Sequence, residues 1–180
     1  MHPKPRELKY VHIGKDDRKG NTLFYTHGYF PPDRFHELRK SGVNHLVTIS
    51  SISRPEVDVA ANCENIEAHH IFPGAGNHIA ESFQDLRKLK PRWKSGALLV
   101  HAPHIEEESG TRTRLMMYGL LRMNGATPKK AEEIALNLDE FYRGGRETLK
   151  YGMRRLERMG EGYDMWGKQE SSMWGKLGRG

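Results

Sequence analysis

Between Leu98 and Arg122 the chain reads LLVHAPHIEEESGTRTRLMMYGLLR, and this stretch holds its densest set of residues able to do chemistry. Ser109, Gly110, Thr111, Arg112 and Thr113 are the residue types of an oxyanion site: small, hydroxyl-bearing, and ending on a guanidinium that can grip two oxygens at once. His101, upstream, can order such a loop through a hydrogen bond. Together with His104 and Glu106 it could also ligate zinc, iron or manganese, because imidazole plus carboxylate suits those ions. Glu106, Glu107 and Glu108 work against phosphate, since a run of carboxylates repels a dianion. Arg112 then has a second role open to it, pairing with one of these glutamates and holding the loop shut. His69 and His70 add a further imidazole pair, but adjacent strand residues point to opposite faces and the spacing matches no metal motif. No cofactor is expected.

These residues need a strand to deliver His101 and a helix to carry Arg112. GALLVHA is a short buried strand, and Thr113–Met123 is apolar nearly all round, as in a helix enclosed by a fold. Upstream, Thr22–His27, Val43–Ser50 and Ile66–Phe72 read as strands. PPDRFHELRKSG and the residues after Pro55 read as helices, and from His78 to Lys90 the apolar residues Ile79, Phe83, Leu86 and Leu89 fall on one helical face. NGATP ends the Arg112 helix and starts another, with Thr127 as cap and Pro128 at the first helical position. Strands alternating with helices predict a layered α/β domain with a largely parallel central sheet.

Bulk properties narrow the classes. The 180 residues are 29% charged and 36% hydrophobic, with a formal net charge of +6 and a single cysteine. One cysteine excludes an intramolecular disulfide and a cysteine-rich metal site. Cys63 falls in a predicted helix, where a small buried hydrophobe is the expected role. No stretch is long and apolar enough for a membrane span, and MHPKPRELKY lacks the apolar run of a secretory signal, so the cytoplasm is the expected compartment.

A strand ending in His, a loop, an Arg followed by Ser or Thr, and a buried helix resembles the HCxxGxxR[ST] signature of the dual-specificity branch of the protein tyrosine phosphatases. LLVHA matches the strand and its His101, and RTRLMMYGLLRMNGATPKKAEEIAL matches the Arg112 helix, its turn and the next helix. TLFYTHGYFPPDRFHELRKSGVNHLVTIS resembles the opening strand, helix and strand, so the likeness runs from about Asn21 to Tyr142. It implies a three-layer α/β/α fold. In that family a cysteine thiolate attacks phosphorus, an arginine holds the phosphate and an aspartate protonates the leaving group. Here the nucleophile position falls on Ala102. Nine residues separate Ala102 from Arg112, more than the signature allows. Counting back from Arg112 instead puts Glu106 at the nucleophile position. The general-acid position falls near Gly74, with no carboxylate before Glu81.

The resemblance therefore implies a phosphatase-like domain that has lost its reaction and acts by binding a phosphorylated or anionic ligand or a protein partner. A hydrolase using the His and Glu residues of the altered loop is the first alternative. The division expected is an arm over 1–20, the phosphatase-like domain over 21–145, a basic helix over 146–160 and a flexible tail over 161–180. In the basic helix Leu149, Met153 and Leu156 are expected to face inward and Arg146, Lys150, Arg154, Arg155 and Arg158 outward, which makes nucleic acid a second alternative partner. The tail carries MWGK twice, and exposed Trp166 and Trp174 would suit docking to a protein.

Overall fold

The computed structural model describes residues 9–13, 21–27, 30–72, 78–93, 96–102, 107–138 and 145–166. Five strands make one sheet: β1 (Lys9–Ile13), β2 (Asn21–His27), β3 (Val43–Ile49), β4 (Glu67–Ile71) and β5 (Ala97–Ala102). Their spatial order is β1-β2-β5-β3-β4. Strands β2, β5, β3 and β4 run parallel, and β1 lies antiparallel along β2. The middle strand, β5, is apolar on both faces, with Leu98, Leu99 and Val100 each 0% exposed, as a parallel strand covered on both sides requires.

The chain forms two compact units, Met1–Gly74 with Trp93–Thr113 and Ala75–Arg92 with Arg114–Gly180. In the first, helices α1 (Phe35–Lys40) and α2 (Pro55–Cys63) pack on β3 and β4. Phe35, Leu38, Val57 and Ala61 meet Leu46 and Leu99 in one buried cluster. Gly42 ends α1 at φ +87°, the left-handed conformation that favours glycine at a helix terminus. Cys63, expected inside, is exposed. It closes the exposed side of an amphipathic helix whose buried residues are Val57 and Ala61.

The second unit contains α3 (His78–Leu89), the greater part of α4 (Glu107–Met123), α5 (Pro128–Leu136) and α6 (Arg146–Gly162). Phe83, Leu86 and Leu89 are buried along α3, and Leu115, Met116, Met117, Tyr118, Leu120 and Leu121 around α4. Thr127 caps α5, its hydroxyl accepting from the Lys130 amide at 3.2 Å, with Pro128 at the first helical position. As the apolar stripe predicts, Leu149, Met153 and Leu156 of α6 are buried, and the helix packs against α3 and α5.

A polar group fastens α6 to α4. Glu157 accepts from the Tyr118 hydroxyl at 2.8 Å and from Arg122 Nε at 2.8 Å and Nη2 at 2.6 Å. Burial, then the Glu157 charge, push the Tyr118 phenol well above its ordinary pKa, so it remains a donor. Glu157→Gln keeps the shape but removes the charge that both partners face; urea unfolding should lose about 2 kcal/mol of stability.

The same group corrects the expectation for Trp166. It does not extend into solvent: it is 6% exposed, donates from Nε1 to the Glu157 carbonyl at 3.0 Å and lies 5.6 Å from the Arg122 guanidinium. Gly160 makes the fit possible, because a Cβ there would collide with the indole ring. The helix thus turns back on itself after Gly162, covering an aromatic ring that a polar, glycine-rich stretch had suggested was free. Trp174 lies outside the described residues.

Candidate functional site

In an open parallel sheet the carboxyl ends of the strands form the natural binding edge, because loops diverge there. Here β3, β4 and β5 bring Thr48, Ser50, His70 and His101 to that edge. The register pairs Thr48 with both His101 and His70. His101 is 0% exposed, and its Nε2 lies 2.8 Å from the Thr48 hydroxyl. Nδ1 is also buried and has no hydrogen-bond partner among the described residues. Burial, followed by the charges of Arg54 and His70, lowers the His101 pKa to about 3. The ring is neutral at physiological pH and cannot act there as a cationic anchor.

His70 Nε2 donates to the Ser50 carbonyl at 3.0 Å, and its ring stacks on Phe72 with centroids 4.0 Å apart. His69, one residue earlier, points to the other face of β4, as alternation predicts. Arg54, which precedes α2, carries a side chain only 17% exposed and lies 3.6 Å from Glu56. Sequence reasoning passed over Arg54: it sits in a turn, and only the strand order brings it near His101. Ile52 and Phe72, 52% and 56% exposed, add apolar surface at the same edge.

The strand-to-helix connection differs from the expected extended loop. Helix α4 begins at Glu107, so Ser109 and Gly110 lie in its first turn and Thr111, Arg112 and Thr113 follow within the helix. Glutamate is a good helix former and acidic residues suit a first turn, which outweighs the glycine and serine that read as loop. The amides of Thr111, Arg112 and Thr113 therefore have acceptors one turn back and cannot converge on a phosphate. Arg112 and Thr113 are each 0% exposed, while Thr111 is half-buried. Ala102 ends β5. His104, Glu106 and the Gly74 position lie outside the described residues. The only thiol of the chain, Cys63, sits just before β4, at the amino end of the parallel strands and so at the opposite end from His101.

No protein-family model matches the sequence, and no curated protein matches it. Solved structures do match. A putative protein tyrosine phosphatase from Leishmania major aligns with TM-score 0.54 at 14% identity, over 82% of this chain and 97% of that one. The Siw14 catalytic core aligns with TM-score 0.53 at 9% identity, over 82% and 90%. The core catalytic domain of the PP-IP phosphatase SIW14 from S. cerevisiae, in complex with citrate, aligns with TM-score 0.50 at 10% identity, over 81% and 90%. At these identities the likeness is one of fold. Among the described residues no helix is long and apolar enough to cross a membrane.

Proposed function

From the protein tyrosine phosphatase fold of dual-specificity type that this chain carries, we propose a phosphatase-like domain that acts by binding, without phosphatase turnover. One observation carries the reading: where the fold's reaction needs a thiolate and an open ring of amides, the chain has Ala102 and the body of α4 around a fully buried Arg112. Among the described residues, Ala102 offers no nucleophile, and the amides of Thr111, Arg112 and Thr113 are engaged one turn back and form no cradle around Arg112. The binding surface this favours is the carboxyl edge of the sheet, where Arg54 and His70 supply polar contacts and Ile52 and Phe72 an apolar rim. An acidic group with an apolar flank on a protein partner suits that combination.

Hydrolysis of an aryl phosphate and of a phosphotyrosine peptide tests the proposal. Wild type and Arg112→Lys should both stay at the rate of the uncatalysed reaction. Turnover that wild type supports and Arg112→Lys abolishes would sink it, and would favour hydrolysis by the His and Glu residues between Ala102 and Arg112. Inorganic phosphate should raise the melting temperature by less than about 1 °C, since a weakly held ligand stabilises only as RT ln(1 + [L]/Kd).

The exposed Arg146, Arg154, Arg155 and Arg158 on α6 favour a second reading, contact with a polyanion. Binding to a nucleic acid should then weaken steeply with salt, with a slope set by the number of phosphates neutralised. Replacing Arg154, Arg155 and Arg158 by Gln should flatten that slope; an unchanged slope removes α6 from consideration.

A further inference from the structure

We propose that His45, Glu67 and His69 form a binding site for a divalent first-row cation of the zinc class, clasping the edge strand β4 to β3. The three residues are far from consecutive, and strand pairing assembles them. His45 is directly opposite Glu67 in the β3–β4 register, and His69 follows Glu67 by two residues on the same face. That face is opposite the one on which Leu46 and Ala68 join the α1–α2 core.

Distances already approach those of a coordination shell. His45 Nδ1 lies 3.5 Å from Glu67 Oε2, and His69 Nε2 lies 3.8 Å from Glu67 Oε1. One donor atom from each of the three residues falls within 4.8 Å of the others. Zinc bonds of about 2.0–2.2 Å to nitrogen and oxygen place tetrahedral ligands about 3.4 Å apart. Either Glu67 oxygen alone sets one edge of the tetrahedron near its final length, and side-chain rotations must draw in the other two from within 4.8 Å. The imidazole rings are nearly parallel, 17° between planes with centroids 5.8 Å apart, so one ring must rotate about its side-chain torsions for the two in-plane lone pairs to meet at one ion.

Chemistry selects the ion. Two imidazoles and one carboxylate suit zinc, cobalt and nickel better than magnesium or calcium, which prefer all-oxygen shells. The histidine side chains are 9% and 8% exposed, and the Glu67 side chain 40% exposed. The nitrogen donors are thus held in place by the fold, while the carboxylate side remains open for entry of the ion and for a water as fourth ligand. Three protein ligands with a water in the fourth position is a coordination that zinc accepts in proteins. The site lies on β3 and β4 alone and does not rest on the binding role proposed above.

The full chain, stripped with chelator, should bind one equivalent of Zn2+ by calorimetry near neutral pH. Affinity should fall as the pH drops through the histidine range, because a protonated imidazole has no lone pair to give. Glu67→Gln, at a partly exposed position, should weaken Zn2+ at least about tenfold and remove the metal-dependent rise in melting temperature. X-ray absorption on the wild-type zinc complex should show two imidazole ligands, a readout that requires no variant to fold. The proposal is overturned by the absence of stoichiometric Zn2+ binding, by binding that Glu67→Gln leaves intact, or by a shell containing fewer than two imidazoles.

Discussion

Replacing Trp166 by alanine should lower the unfolding free energy by about 3–5 kcal/mol, read as a lower urea midpoint at unchanged slope. The residue is 6% exposed, and its indole nitrogen donates to the Glu157 carbonyl. Removing it opens a cavity over Gly160 and takes away the side-chain donor to that carbonyl. A tryptophan standing in solvent would cost at most about 0.5 kcal/mol, so the magnitude separates the two placements. Gly160→Ala attacks the same contact from below and should also destabilise, by about 1–3 kcal/mol, because a Cβ and the ring cannot share that space. In the double variant most of the Gly160→Ala penalty should vanish, since the ring it collides with is gone. Additive penalties would mean that the two residues do not meet.

Acid should weaken the protein through His101. Its folded pKa is depressed to about 3 by burial and by the charges of Arg54 and His70, against an ordinary value near 6.5. Between those values the unfolded chain takes up a proton that the folded chain refuses. The stability from keeping the ring neutral is therefore fully present above about pH 6.5, and is lost as pH falls toward the folded value. The loss is about 1.4 kcal/mol per pH unit, on the order of 3 kcal/mol from about pH 7 to about pH 4. His101→Gln retains a hydrogen-bonding group for Thr48 but cannot titrate. Its stability should fall less steeply with acid than that of wild type, and equal slopes would show that the buried ring is not the sensor.

The strands were readable because β-branched and leucine-rich runs bounded by turn residues leave little choice, as in VNHLVTI and ALLVHA. The Thr127–Pro128 start of α5 was readable from capping chemistry alone. Two features escaped for physical reasons. The start of α4 was read too late, because Ser109 and Gly110 look like a loop when considered singly, whereas helix formation depends on the whole segment around them. Trp166 was read as free because its cover is Gly160, a residue whose only contribution is the absence of a side chain. The His45–Glu67–His69 group could not be found from spacing at all. It depends on β3 and β4 aligning His45 with Glu67, and register is a property of the pair of strands.

The strand order also governs the sequence of events on the ribosome. β5 lies between β2 and β3, with Thr22 and Val43 both paired to Ala97. A nascent chain that has reached α3 can form the β1–β2 hairpin and the β3–α2–β4 unit, yet these two pieces have no edge in common. They become one sheet only when Ala97–Ala102 emerges and fills the gap between them. Translation at about 5–20 residues per second leaves the inner edges of β2 and β3 uncovered for several seconds. Late closure of such distant pairings also predicts slow refolding of the intact chain. The middle strand is therefore the step at which a chaperone, or a stalled ribosome, would have the most influence on whether this fold is reached.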